Sequence, residues 1–226
     1  MPRAIIIGAS RGLGLGLAKE FAGRGWDVVA TQRGHSAALD EAAAASGGRI
    51  AVETVDIDDA AAVEQLAGRA AGPYDLVFIN AGVMGPRHSV AHKATAEEVG
   101  ALMMTNAVSP IRTARVFLPL VKDGGTLALM TSILGSIALR NHGHAELYSA
   151  SKAALNSLTR GFVATDVKDR PVAVLSLHPG WVKTDMGGDG ADIDIATSVK
   201  GLADVITTDT APGHRYLDYT GKTLPW

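Results

Sequence analysis

The stretch ELYSASKAALN, residues 146–156, carries a tyrosine and a lysine four positions apart. Its run of alanines and small polar residues predicts a helix, and on a helix Tyr148 and Lys152 stand one turn apart on the same face. An isolated phenol titrates near ~10 and supplies little phenolate at neutral pH. An ammonium beside it favours the ionised form and typically lowers an acid's pKa by roughly 1–3 units. A phenol tuned in this way can give a proton to a developing alkoxide or take one from an alcohol. The same spacing also occurs in ordinary surface pairs, so the chemistry depends on what else the chain brings to this helix.

A second group of residues could hold phosphate. GASRGLGLG, residues 8–16, follows the apolar run AIIIGA and spaces its glycines as Gly-x-x-x-Gly-x-Gly at Gly8, Gly12 and Gly14. A glycine-rich turn leading from a strand into a helix lets phosphate oxygens approach free backbone N–H groups at the positive end of the helix dipole. Gly8, Ser10, Arg11, Gly12, Leu13 and Gly14 form this candidate cradle; a tight turn without ligand is the alternative. Gly16, just beyond, is expected to allow close helix packing. An NAD-type site usually places an acidic residue at the end of the second strand. Here that strand ends in Thr31, Gln32 and Arg33, with no carboxylate. Arg11 and Arg33 would bracket the adenosine ribose and suit a 2′-phosphate through paired, charge-assisted bonds. If they are not simply two solvated arginines, the site prefers NADP(H) over NAD(H).

These residues need a scaffold, and the apolar pattern supplies one. Strands are expected at 4–9, 27–31, 50–55, 74–80, 126–132 and 172–178, with a last short one near 215–219. Several are continuously apolar, as strands buried on both faces of a parallel sheet should be. Helices are expected near 12–24, 36–46, 58–71, 96–121 and 145–167. This alternation predicts one α/β domain over residues 1–226, a Rossmann-type doubly wound parallel sheet with helices on both faces. The segment 185–213 begins rich in Gly and Asp, turns helical from about 194 to 206, and is expected to cover the substrate.

Composition narrows the function classes. The chain has 226 residues, 47% of them hydrophobic and 19% charged, with a net charge of −2, so an ordinary core can form and no basic stripe points to nucleic acid. Cysteine is absent, which removes disulfides and thiolate chemistry. The N-terminal apolar run is too short for a signal peptide, and no stretch approaches the roughly 20 residues that span a bilayer. A cytoplasmic protein is expected, with no membrane or nucleic-acid partner.

Together, the Gly-x-x-x-Gly-x-Gly turn, NAG at 80–82, a serine after the fifth strand and Tyr-x-x-x-Lys resemble the short-chain dehydrogenase/reductase family. The resemblance runs from residue 4 to at least 186. HPGWVKTDM (178–186) and the terminal LPW are most similar to its small C-factor-like and carbonyl-reductase-like members. It implies a catalytic set of Asn106, Ser132, Tyr148 and Lys152. Tyr148 resembles the acid/base, and Lys152 resembles the lysine that binds the nicotinamide ribose and lowers the phenol pKa. Ser132 would hold the substrate oxygen, and Asn106 would position a water touching the lysine. For the cofactor, it implies Asn80, Ala81 and Gly82 beside the fourth strand. Asp56 with the Ile57 amide would sit at the adenine, and Pro179, Val182 and Thr184 over the carboxamide.

Some features depart from the family pattern. Ile7 stands where many relatives have Thr. Ser132 and Tyr148 are 16 positions apart rather than about 13, and the extra length falls at 139–146, which should border the substrate. Ser136 competes for the serine role. His142 and His144 make a weak metal signal, so no metal is expected. Arg87, His88 and Lys93 could meet an acidic substrate or be solvated. The expected activity is NADP(H)-dependent interconversion of a ketone or aldehyde with its alcohol, on a small-molecule substrate. The helices near 96–121 and 145–167 could form a homodimer or homotetramer face. The competing reading is a C-factor-like signalling or regulatory protein that binds cofactor and turns over little. An extended-branch epimerase or dehydratase is disfavoured by the short C-terminal region.

Overall fold

The computed structural model describes residues 1–70 and 72–226. Its strands are β1 (Arg3–Ile7), β2 (Asp27–Gln32), β3 (Ile50–Thr54), β4 (Tyr74–Ile79), β5 (Val121–Met130), β6 (Ala173–His178) and β7 (Gly213–Asp218). All pair in parallel, in the order β3-β2-β1-β4-β5-β6-β7. The helices are α1 (Gly12–Gly23), α2 (Ala37–Ala45), α3 (Ala60–Arg69), α4 (Ala96–Met103), α5 (Ser109–Phe117), α6 (Glu146–Phe162) and α7 (Ile195–Thr208). Ala71, the last residue expected in the third helix, lies outside the described residues.

Alternation along the central strands builds two cores. In β1, Ala4 and Ile6 face one side, where Leu17 and Phe21 of α1 and Leu202 and Ile206 of α7 pack. Ile5 and Ile7 face the other, with Leu66 of α3, Ile111 and Phe117 of α5, and Leu155 and Phe162 of α6. Successive side chains of a strand point to opposite faces, so a strand clad by helices on both sides is apolar at every position. Strand order runs one way from β1 to β3 and the other way from β4 to β7, so the chain's direction across the sheet switches between β1 and β4. In open parallel sheets, ligands lie in the crevice outside the carboxyl ends of the strands at such a switch. The turn at Gly8 and the segment Asn80–Gly82 leave those two strand ends.

Helix starts show which N-termini are finished by the protein itself. Ser36 caps α2, Asp59 caps α3, a Thr95/Glu98 capping box closes α4, and Asp194 accepts from Thr197 N at 2.7 Å to cap α7. The α1 start has no side-chain cap: Arg11 occupies the position, and among the described residues no side chain satisfies the amides that follow.

The region expected as one helix over 96–121 is interrupted. Between α4 and α5 the chain makes a π turn, Met104–Val108. Pro110 has no N–H to return to the carbonyl four residues earlier, that of Asn106, and the wider turn accommodates the loss. The strand expected from 126 starts at Val121, with a register slip against β4 where Lys122–Gly125 bulge. The glycine pair there hid the strand start. The last strand, expected at 215–219, spans six residues.

Gly16 permits the close approach of α1 and α7. A Cβ on it would lie 2.8 Å from Ile195 Cγ2 and 2.9 Å from Val199 Cγ1, both on stiff β-branched side chains. Gly16→Val should therefore cost about 1–3 kcal/mol through overpacking and lower Tm by several degrees in a thermal melt.

Candidate active site

The crevice at the strand ends is a cavity of about 830 Å³. One end is lined by Arg33, Asp56 and Ile57, the middle by Gly8, Ser10, Arg11, Gly12 and Leu13, and the other end by Tyr148, Lys152, Pro179 and Thr184; Asn80, Ala81 and Gly82 also line it. Gly14, Asn106, Ser132 and Val182 adjoin residues of this lining in the sequence or by contact.

The turn is held rigidly. Gly8, at φ +92°, sits where a Cβ would come within 2.8 Å of Ala81 N. Its N–H donates to Thr31 Oγ1 at 2.9 Å, and its carbonyl accepts from Asn80 Nδ2 at 2.6 Å. Gly14 packs so tightly on Gly8 that any side chain there would run into the Gly8 carbonyl. The Thr31 hydroxyl reaches the turn from β2, independently of Ile7. Sequence reasoning considered Thr31 only as a missing carboxylate; nothing local signals its bond to a residue 23 positions away.

The two arginines fare differently. Arg33 is exposed at the end of β2, lines the cavity and has no ion-pair partner among the described residues. Arg11, expected beside the ribose with Arg33, instead pairs with Asp185 on the segment after β6, Nη1 to Oδ2 at 3.0 Å. Both partners are about four-fifths exposed, so the contact is weak and can exchange. Asp56 Oδ1 accepts from Asp58 N, shaping the turn that presents Ile57.

At the other end, the first turns of α6 carry Tyr148 and Lys152. Burial pushes the Tyr148 phenol up to about 12, and the neighbouring Ser132 side chain pulls the other way. The Lys152 ammonium, expected to lower this pKa, lies 5.8 Å from the ring centroid, and in the cofactor-free protein burial is the larger influence on the phenol. Lys152 is 3% exposed, and its Nζ donates to Met130 O at 3.1 Å. Burial pushes it down to about 8. An ammonium has three donors, and this is the one acceptor among the described residues.

Asn106 is fully buried, and its amide is committed to protein partners. Oδ1 accepts from Val83 N and Nδ2 donates to Val83 O, both at 2.8 Å, while Nδ2 also reaches Ser151 Oγ at 3.0 Å. The side chain pins the segment after β4 to α6. Ser136, the competing serine, donates to Pro225 O at 2.6 Å, away from Tyr148. A residue that sequence reasoning missed, Tyr216 of β7, donates to the Ser132 carbonyl across 84 positions. His142 and His144 stack at 3.7 Å, and among the described residues no group of three or more His, Cys, Asp or Glu could hold a metal. Likewise, no helix among them is long and apolar enough to cross a membrane. His178 Nδ1 is buried without a partner, and burial holds the ring down at about 4.

The doubly wound sheet, with an uncapped helix start at its switch point, defines a Rossmann-like α/β fold. The short-chain dehydrogenase model matches residues 2–192, and the chain belongs to that family. It is 37% identical to C-signal of Myxococcus xanthus over 69% of this chain and 94% of that protein. It is 30% identical to 1-hydroxy-2-glutathionyl-2-methyl-3-butene dehydrogenase of Rhodococcus sp. over the full length of both. Among solved structures, it is similar to a short-chain dehydrogenase/reductase from Burkholderia multivorans with bound NADP. The TM-score there is 0.96 at 39% identity, covering 100% of this chain and 99% of that one. A carbonyl reductase from Pseudomonas aeruginosa in complex with NADP matches with a TM-score of 0.92 and 38% identity over the whole of both chains. The protein is thus an oxidoreductase that uses a nicotinamide cofactor on a small-molecule substrate.

The residues fit such a cofactor. The open amides of α1 suit a diphosphate, and the spare donors of Lys152 suit ribose hydroxyls. Without those acceptors Lys152 weakens the fold. Its folded pKa of about 8 lies below its ordinary 10.5, so the unfolded chain holds this proton more tightly. Its contribution to stability therefore rises with pH between those values, and below pH 8 the full penalty of burying the charge remains, a few kcal/mol. Lys152→Met should raise the Tm of the cofactor-free protein at pH 7 by several degrees and flatten its rise towards pH 10, as read in melts across pH.

Proposed function

We propose that the protein is an NADP(H)-dependent reductase of ketones or aldehydes, with Tyr148 as proton donor. The observation that carries this reading is the buried Tyr148 phenol beside Ser132, one helical turn from the buried Lys152 ammonium, in a cavity also lined by Arg33, which has no ion-pair partner among the described residues. When bound, the nicotinamide supplies the hydride that the carbonyl carbon receives, or takes it in the reverse direction. Ser132 orients the carbonyl oxygen towards the phenol. Tyr148, held protonated at neutral pH by its burial, gives its proton to that oxygen as charge develops there. Lys152 binds ribose hydroxyls and places its positive charge beside the phenolate that remains. Asn106 keeps Val83 and Ser151 in place, and Tyr216 fixes the backbone at Ser132.

Arg33 takes the 2′-phosphate, with Arg11 free to join it when it leaves Asp185. Asp56 and Ile57 receive the adenine, and Pro179, Val182 and Thr184 with the segment 185–194 cover the nicotinamide end. The NADP-bound Burkholderia and Pseudomonas relatives support the cofactor assignment. Buried Tyr148 and Lys152 on the cavity wall, with Ser132 beside the phenol, favour turnover over a purely regulatory role. The exposed Met104, Val108 and Leu158 support self-association through α4–α6.

Tyr148→Phe should lower kcat for carbonyl reduction roughly 100- to 10,000-fold while NADPH still binds in a fluorescence titration. Unchanged turnover in that variant would remove Tyr148 as donor. Arg33→Asp should reduce the NADPH-over-NADH preference in kcat/KM by roughly 10- to 100-fold, the loss of one charge-assisted phosphate contact. A preference that stays the same would place the 2′-phosphate elsewhere.

A further inference from the structure

Most exposed large apolar side chains among the described residues fall on two faces: the outer side of α4–α6, and the rim of the cavity. The rim set comes in pairs from three loops. Val83 and Met84 follow β4, Ile133 and Ile137 follow β5, and Trp181 and Met186 follow β6. These strands are parallel neighbours, so all three loops leave the same edge of the sheet. Val83 and Met186 line the same cavity as Tyr148, and Ile133 directly follows Ser132. Exposed apolar residues scattered singly need no explanation, whereas a patch converging on a reactive group does.

Trp181 is built as a platform. Its indole Nε1 donates to Gly187 O at 2.9 Å, while the side chain remains about half exposed. The polar residues of the same loops are mostly committed to one another. Arg140 donates to Ser149 Oγ at 2.7 Å and to His144 O at 2.9 Å. His88 meets Glu98 at 3.3 Å, and Glu146 accepts from Ala91 N at 2.8 Å. Arg87 and Lys93 remain exposed without an ion-pair partner among the described residues.

We propose that this rim receives the apolar body of a neutral, bulky carbonyl compound, its C=O held between Ser132 and Tyr148 and its hydrocarbon part lying across Met84, Ile133 and Trp181. The proposal rests on Tyr148 as proton donor and adds the substrate class. The occupant follows from continuity: the apolar surface begins at the residues flanking Ser132 and the Tyr148 cavity, where Val83 and Met186 line the wall.

The test uses the enzyme with NADPH and a series of methyl ketones from butanone to methyl heptyl ketone, together with the last compound carrying a terminal carboxylate. kcat/KM should rise about fourfold per added methylene until the rim is filled, and the carboxylate should lower it roughly tenfold. Met84→Asp should flatten the dependence on chain length while NADPH binding in the fluorescence titration is retained. A second readout does not need turnover. In Tyr148→Phe loaded with NADP+, methyl heptyl ketone should quench tryptophan emission, and Tyr148→Phe/Trp181→Phe should lose that response.

A flat series, or a carboxylated ketone preferred over the neutral one, overturns the proposal, the latter in favour of Arg87 and Lys93 as substrate contacts. Self-association in sedimentation that Met84→Asp abolishes also overturns it, placing a second copy on the rim. If Tyr148→Phe turns over normally, the donor assignment fails, while the quenching experiment still reports on the rim.

Discussion

The site is organised around a buried cation. Lys152 lies in a protein interior with one carbonyl to accept from its ammonium, and burial alone has drawn its pKa down to about 8. A charge in such a place is unfavourable unless further acceptors arrive. The acceptors that fit are hydroxyls of a ligand in the adjoining cavity. The same desolvation raises Tyr148 and keeps it a neutral acid. One environment thus prepares two groups in opposite senses: a cation short of partners and a phenol reluctant to ionise.

The surrounding fold is arranged to keep that environment fixed. Parallel strands whose order switches between β1 and β4 open the crevice, and the Gly8 turn closes against Asn80 and Ala81 from the next strand. Asn106 ties the segment after β4 to α6, so the position of Tyr148 and Lys152 is linked to the cavity wall at Val83. From the far edge of the sheet, Tyr216 holds the backbone of Ser132. None of these groups needs to react, but each fixes where a reacting atom can sit.

Much of this was legible in the sequence, for physical reasons. Strands buried on both faces must be apolar throughout, so β1, β4 and β6 stood out, and the glycine spacing announced the turn at the end of β1. Gly16 was expected to bring helices together, and it does so between α1 and α7. What remained hidden were bonds between residues distant in sequence. Thr31 to Gly8, Arg11 to Asp185 and Tyr216 to Ser132 leave no local pattern. The π turn at Asn106 was hidden because a helical hydrophobic period continues through it, although Pro110 marks the place. The burial that raises the Tyr148 phenol was not legible, because a residue pair shows the neighbouring charge but not the depth of burial around it.

The central claim is that Lys152 lacks acceptors until the cofactor binds. Calorimetric titration of NADPH above pH 8, in two buffers of different ionisation enthalpy, tests it directly. Binding should restore the lysine's affinity for its proton, so the complex should take up a fraction of a proton between about pH 8 and 10, and Lys152→Met should take up none. Binding of NADPH without proton uptake, or uptake that persists unchanged in Lys152→Met, would contradict the account.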